Sequence, residues 1–134
     1  KISFTKDDFV VATQLVEPSY ISLGSALRFH GLISQVQKNI ECVSTKNSYN
    51  FKTLGIIYHK IPSALFFGYK KHKKGNSYVL VAEPEKALVD GIYLNHFSKK
   101  DLQEFSGMVD FSKMKGLLKK FNGKGSKKIA ELIE

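Results

Sequence analysis

Ser77-Tyr78-Val79-Leu80-Val81-Ala82-Glu83-Pro84-Glu85-Lys86-Ala87-Leu88-Val89-Asp90 changes character halfway along. Four of its first five residues are aromatic, β-branched or apolar, and the five read as a strand. Pro84 then suits the first position of a helix, where its missing N–H costs nothing. Ala87, Leu88, Gly91, Ile92 and Leu94 follow at helical spacing. A strand that turns directly into a helix divides the chain, with strands before it and helices after it.

Upstream, Lys74-Gly75-Asn76 is a turn signal, and Leu65-Phe66-Phe67-Gly68-Tyr69 is a candidate strand before it. Residues 55–61 form another strand, stopped by Pro62. Ile40-Glu41-Cys42-Val43-Ser44 alternates, and Lys46-Asn47-Ser48 follows as a turn. The short connections predict antiparallel pairing. At the start, Thr5 can cap a helix whose first turn holds Asp7 and Asp8, the charge sign a helix N-terminus favours. Pro18 ends that helix; a second begins at Ser22 and stops at Gly31, where a left-handed residue belongs. Downstream, Ser98 can cap residues 99–105, and Met114, Leu117, Leu118 and Phe121 mark a further amphipathic helix. Asn122-Gly123-Lys124-Gly125 breaks it, and Ser126 opens a last helix with Ile129, Leu132 and Ile133 facing inward. The fold expected is α+β: a small, mostly antiparallel sheet over about residues 39–82, between N-terminal helices and a C-terminal helical segment. Residues 1–134 read as one domain, with 1–16 the remnant of an N-terminal module and 95–134 a helical extension.

The 134 residues suffice for one core, and a hydrophobic content of 43% supports it. The net charge of +9 favours polyanionic partners: nucleic acid, an acidic protein or an anionic surface. A single cysteine, Cys42, makes no internal disulfide and fits a reducing cytoplasm as a buried thiol. No run approaches the ~18 apolar residues of a membrane span, so no membrane partner is expected. The chain opens on Lys1 rather than Met and reads as a piece of something longer.

The charge is concentrated. Between Cys42 and Ala82 stand seven lysines, Lys46, Lys52, Lys60, Lys70, Lys71, Lys73 and Lys74, without one Asp or Glu. Tyr49, Phe51, Tyr58, Phe66, Phe67, Tyr69 and Tyr78 are interleaved with them. Lysines neutralise phosphates, and exposed aromatics stack on bases. The bland alternative is a solvated hairpin tip whose lysines keep the sheet from pairing with other chains. Arg28 is the one arginine, which argues against base-specific reading, a task arginine favours.

Enzyme signatures are weak. His30, His59, His72 and His96 form no metal-binding spacing, and no second cysteine exists, so neither a metal nor another cofactor is expected. Gly123-Lys124-Gly125-Ser126-Lys127 lacks the spacing of a phosphate-binding loop. Glu83, Glu85 and Asp90 suggest a nuclease at first sight, but the acid-free stretch before them removes the first carboxylate that metal catalysis would need. Asp90 also falls on roughly the opposite side of its helix from Glu85.

Three segments together resemble the abortive-infection antitoxin family (AbiEi type), predicted transcriptional regulators of viral defence systems. They are residues 17–27 with His30-Gly31-Leu32-Ile33, then Phe66-Phe67-Gly68-Tyr69, then residues 82–90. Val43-Ser44-Thr45-Lys46 and Tyr58-His59-Lys60-Ile61 also look similar, and the likeness spans about residues 17–94. The resemblance implies the second half of a two-part regulator, without the winged helix that binds operator DNA. It implies a nucleotidyltransferase-like toxin as cognate partner. Its motif residues, Tyr20, Ser22, His30, Gly31, Glu85, Lys86 and Asp90, read as architecture. Glu85 would satisfy free N–H groups at the helix start, and Lys86 and Asp90 would form an i,i+4 pair.

The expected function is a non-catalytic regulatory domain of an antitoxin-like regulator in a prokaryotic toxin–antitoxin or phage-defence system. It would contact DNA phosphates or a toxin through the lysine-rich segment. The alternatives are a divergent metal-dependent nuclease and a standalone nucleic-acid-binding module.

Overall fold

The computed structural model describes residues 4–121 and 125–133, the Ile133 side chain excepted. The first helix, α1 (Lys6–Leu15), starts as expected, with a reciprocal cap between Thr5 and Asp8. A short strand, β1 (Ser19–Ile21), precedes α2 (Leu23–Phe29). Four strands follow, β2 (Ile40–Ser44), β3 (Tyr49–Phe51), β4 (Ile56–Lys60) and, beyond a single 3-10 turn at Ser63–Leu65, β5 (Tyr69–Lys74). The strand β6 (Ser77–Ala82) runs directly into α3 (Pro84–Tyr93), with Pro84 in the first helical turn. Three helices complete the chain: α4 (Lys99–Glu104), α5 (Phe111–Leu118) and α6 (Ser126–Ile133). Ser98 and Asp101 cap α4 reciprocally, and Asp110 caps α5. Of the expected break before α6, Asn122, Gly123 and Lys124 lie outside the described residues, as does the Ile133 side chain.

The architecture is α+β, with a six-stranded sheet in the order β3-β4-β2-β1-β6-β5. Three of its pairings are antiparallel; β1 with β6 and β2 with β4 are parallel, so the sheet is mixed and mostly antiparallel. The sequence shows neither β1 nor β3, each only three residues long and too short for a period to register. β1 nevertheless lies inside the sheet, and it joins the β2–β4 half to the β5–β6 hairpin. The expected strand over residues 65–69 is a correction too. Leu65 closes the 3-10 turn, Gly68 has φ +78, and the strand proper begins at Tyr69. Lys70–Lys74, for which a solvated hairpin tip is the bland alternative from sequence, is the body of edge strand β5.

Successive residues of a strand face opposite ways. Ile21 pairs with Cys42, which pairs with Tyr58, so these three share a face. The Tyr58 hydroxyl donates to the Ala12 carbonyl, which places α1 on that face. Tyr20 and Ser22 point to the other, where α3 lies. One continuous core runs from Phe9 on α1 through the sheet to Met114, Phe121 and Ile129. α5 and α6 pack on α3. α2 ends with His30 and left-handed Gly31 (φ +80), whose N–H donates to Arg28 O while Leu32 N–H donates to Leu27 O. That ending matches expectation. Among the described residues no helix is long and apolar enough to cross a membrane.

Candidate functional site

Four of the motif residues, Tyr20, Ser22, Lys86 and Asp90, meet under α3. Asp90 Oδ2 accepts hydrogen bonds from Tyr20 Oη at 2.7 Å and Ser22 Oγ at 2.8 Å. Its other oxygen binds Lys86 Nζ. Lys86 Nζ also donates to Tyr20 Oη (2.8 Å) and to the Leu65 carbonyl (2.7 Å). All three protons of the ammonium are thereby used. Neither Lys86 nor Asp90 is exposed at all, so the expected i,i+4 pair forms and is a buried one. Burial pushes the Asp90 carboxyl up and the Lys86 ammonium down, and each charge opposes the shift of the other. Burial, reinforced by Asp90, also holds the Tyr20 phenol well above its ordinary value.

Ser22 shows why local pattern reading stops short here. It stands at the N-cap of α2, but its side chain makes no cap bond and serves Asp90 instead. The second resembling segment closes over the same network. Phe67 lies 4.9 Å from Lys86 Nζ, and Tyr69 stacks on Tyr20 with ring centroids 4.7 Å apart. His30 Nε2 bonds the Ala82 carbonyl at 2.8 Å, joining the end of α2 to the strand–helix junction. Segments far apart in sequence are thus held by one polar cluster without solvent contact. Such a cluster positions β1, the entry to β5 and α3; it offers no atom to a substrate.

The other acids are engaged elsewhere. Glu83 pairs with Lys70 at 3.0 Å and Lys113 at 3.7 Å. Those lysines bring the Glu83 carboxyl below its ordinary value, against the burial that raises it. Glu85, expected to serve the start of its own helix, instead accepts from Asp110 N–H at 3.0 Å and lies 3.6 Å from Lys113 Nζ. The start of α5 docks at that point and supplies the donors. Glu85 and Asp90 have separate surroundings, as their helical offset implied. Among the described residues no group of three or more His, Cys, Asp or Glu is arranged to hold a metal.

The seven lysines do not form one patch. Lys60 ends β4, with Lys46 and Lys52 in the loops at either end of neighbouring β3, whereas Lys70, Lys71, Lys73 and Lys74 lie on β5. Three strands separate β4 from β5, a spacing of about 19 Å at the usual inter-strand distance. The expectation of a single lysine-rich face is therefore corrected to two basic edges. On β5, Lys70 is tied to Glu83, while Lys71, Lys73 and Lys74 are exposed. Lys71 Nζ lies over the Tyr78 ring at 4.3 Å, and Tyr78 is 42% exposed. The other interleaved aromatics divide: Tyr58 is buried, Phe66 and Tyr69 pack around Tyr20, and Tyr49 and Phe51 stack on the opposite edge. Cys42 is buried and its thiol is pushed up by burial, so it is inert.

His72, midway along the lysine strand, carries no signal in the sequence. Its Nε2 is buried and has no hydrogen-bond partner among the described residues. Its ring meets Phe29 edge-on at 4.9 Å and His30 at 6.0 Å. Burial holds its pKa below the ordinary value, with His30, Lys6 and Lys70 adding to the effect and Glu83 opposing it. An unfolded His72 therefore takes up a proton before the folded one does. The stability this group contributes is present above the ordinary histidine pKa and is lost as pH falls through the folded one. Urea midpoints should drop as pH falls below the ordinary histidine range, and His72→Leu should shrink that drop; an unchanged slope would dismiss His72 as its source.

No protein-family model matches the chain, and no curated protein matches it either.

Proposed function

We propose that this chain is the non-catalytic regulatory domain of an antitoxin-like transcriptional regulator. It would serve a prokaryotic toxin–antitoxin or phage-defence system in the cytoplasm. One observation carries the reading of its surface: edge strand β5 presents Lys71, Lys73 and Lys74 to solvent with no acid along the strand. Lys71 and Lys73, on the face of the exposed Tyr78 ring, with Lys74 on the other face of the same edge, suit a phosphate backbone or the acidic surface of a nucleotidyltransferase-like toxin. The engagement of Glu83, Glu85 and Asp90 by lysines supports a non-catalytic role, since a nuclease would need those carboxylates for metal ions. The meeting of the three resembling segments in one buried cluster supports the family likeness, because it gives their residue types a common purpose.

The test is the triple variant Lys71→Ala, Lys73→Ala and Lys74→Ala, compared with the unaltered chain. Binding to promoter DNA from its own gene, and to the product of the adjoining gene, is followed by fluorescence anisotropy across a salt series. If DNA is the partner, affinity falls and the log–log salt slope flattens by up to about 2–3 units, one for each phosphate that is no longer neutralised. If the toxin is the partner, its complex weakens and the DNA arm stays flat. Unchanged binding in both arms overturns the assignment of β5.

A further inference from the structure

We infer that two adjoining depressions around Phe4 form a nucleotide site, with the base on the phenyl side and the phosphate on Lys38 and Lys52. The first is a cavity of about 200 Å³ lined by Phe4, Phe9 and Phe29 together with Lys6 and Arg28. The Phe9 and Phe29 rings lie 6.1 Å apart at 33°, and Lys6 Nζ stands 5.7 Å from the centre of the Phe29 ring. Aromatic walls with cations beside them suit a flat, polar-edged ring, which gains from stacking and from cation contacts. The second depression, about 370 Å³, is lined by Lys38, Lys52, Asn39 and Thr53, with Phe4 on its shared side. Two ammonium groups, an amide and a hydroxyl are what a phosphate takes as donors.

Phe4 is held between the two by the turn after β3. Gly55 has φ +69, and a Cβ there would lie 3.2 Å from the Phe4 ring. The charge distribution decides between cavities. Among the described residues no acidic one lines either depression, whereas Asp101 and Glu104 line the roomy groove beside α4. The start of α1 already has its own carboxylate, Asp8, bonded to Thr5. The phosphate therefore belongs on the Lys38–Lys52 side rather than on the helix end. Together the two volumes fall within the usual range of small-molecule sites. The chemistry recognised is a phosphorylated base, whether a free nucleotide or the phosphorylated end of a single strand.

The experiment titrates the full chain with nucleoside monophosphates, the matching nucleosides, inorganic phosphate and a short end-phosphorylated oligonucleotide, following amide shifts by NMR. Monophosphates should shift Phe4, Phe9, Phe29 and residues 52–55. The variant Lys38→Ala with Lys52→Ala should weaken the monophosphates about tenfold while leaving nucleosides unchanged. Val36→Glu should weaken both, and Val36 is 52% exposed, so its replacement does not threaten the fold. Tighter binding of the oligonucleotide through the same amides assigns the site to strand ends; binding of monophosphates alone assigns it to free nucleotides. The inference is overturned if inorganic phosphate binds as well as a monophosphate, if the shifts gather on β5, or if none occur.

Discussion

Asp90→Ala should lower stability by about 3–5 kcal/mol, the cost typical of removing one partner from a buried ion pair. The substitution leaves the Lys86 ammonium enclosed with only Tyr20 Oη and the Leu65 carbonyl. It also takes the acceptor from the Tyr20 and Ser22 hydroxyls. Asp90→Asn should lose less, because an amide oxygen still receives those hydroxyls while the charge is gone. Lys86→Met should be costly for the mirror reason, with a buried carboxylate left without its counter-charge and held only by the Tyr20 and Ser22 hydroxyls. The informative quantity is the cycle. Asp90→Ala with Lys86→Met should cost clearly less than the two single losses added, since the double variant buries no charge. Urea unfolding followed by circular dichroism measures all four proteins. Additivity to within about 0.5 kcal/mol would show that Lys86 and Asp90 act independently, against the bond between them.

The division of the chain into early helices, a sheet and late helices is legible because it rests on local signals. Thr5, Ser98 and Pro84 mark helix starts by hydrogen-bond chemistry that needs only near neighbours. Gly31 marks a helix end for the same reason. The sheet is harder. Tyr20 and Ile21 read locally as the approach to a helix because three residues carry no period, yet β1 bridges the two halves of the sheet. Its strand character comes from tertiary partners, β2 on one side and β6 on the other. The polar cluster is half legible. Lys86 and Asp90 stand out as an i,i+4 pair, but nothing local says whether such a pair faces water or Tyr20, 66 residues before Lys86. The lysines fail in the opposite direction. A run of positive charge in sequence suggests one surface, and strand order sends its members to opposite edges.

Gly68→Ala should cost about 2–4 kcal/mol, combining a left-handed backbone with overpacking of a fixed neighbour. Gly68 has φ +78, and a Cβ on it would stand 2.6 Å from Lys86 Cγ and 3.0 Å from Cβ and Cδ. A lysine on the surface would swing aside. Lys86 does not have that freedom, because three hydrogen bonds fix its ammonium and Phe67 covers it. The new methyl must therefore displace the chain at Gly68, whose carbonyl accepts the Glu83 N–H at 2.9 Å. Displacement there carries into β5, since Tyr69 is the next residue and stacks on Tyr20. The two contributions separate in a Lys86→Ala background, which removes the atoms the methyl would meet. In that background Gly68→Ala should cost only the backbone part, about 1–2 kcal/mol. An equal loss in both backgrounds would mean that Gly68 is required for its dihedral angles alone. A smaller loss with Lys86 shortened would tie the turn to the buried pair, and through Tyr69 it would tie the pair to the lysine strand.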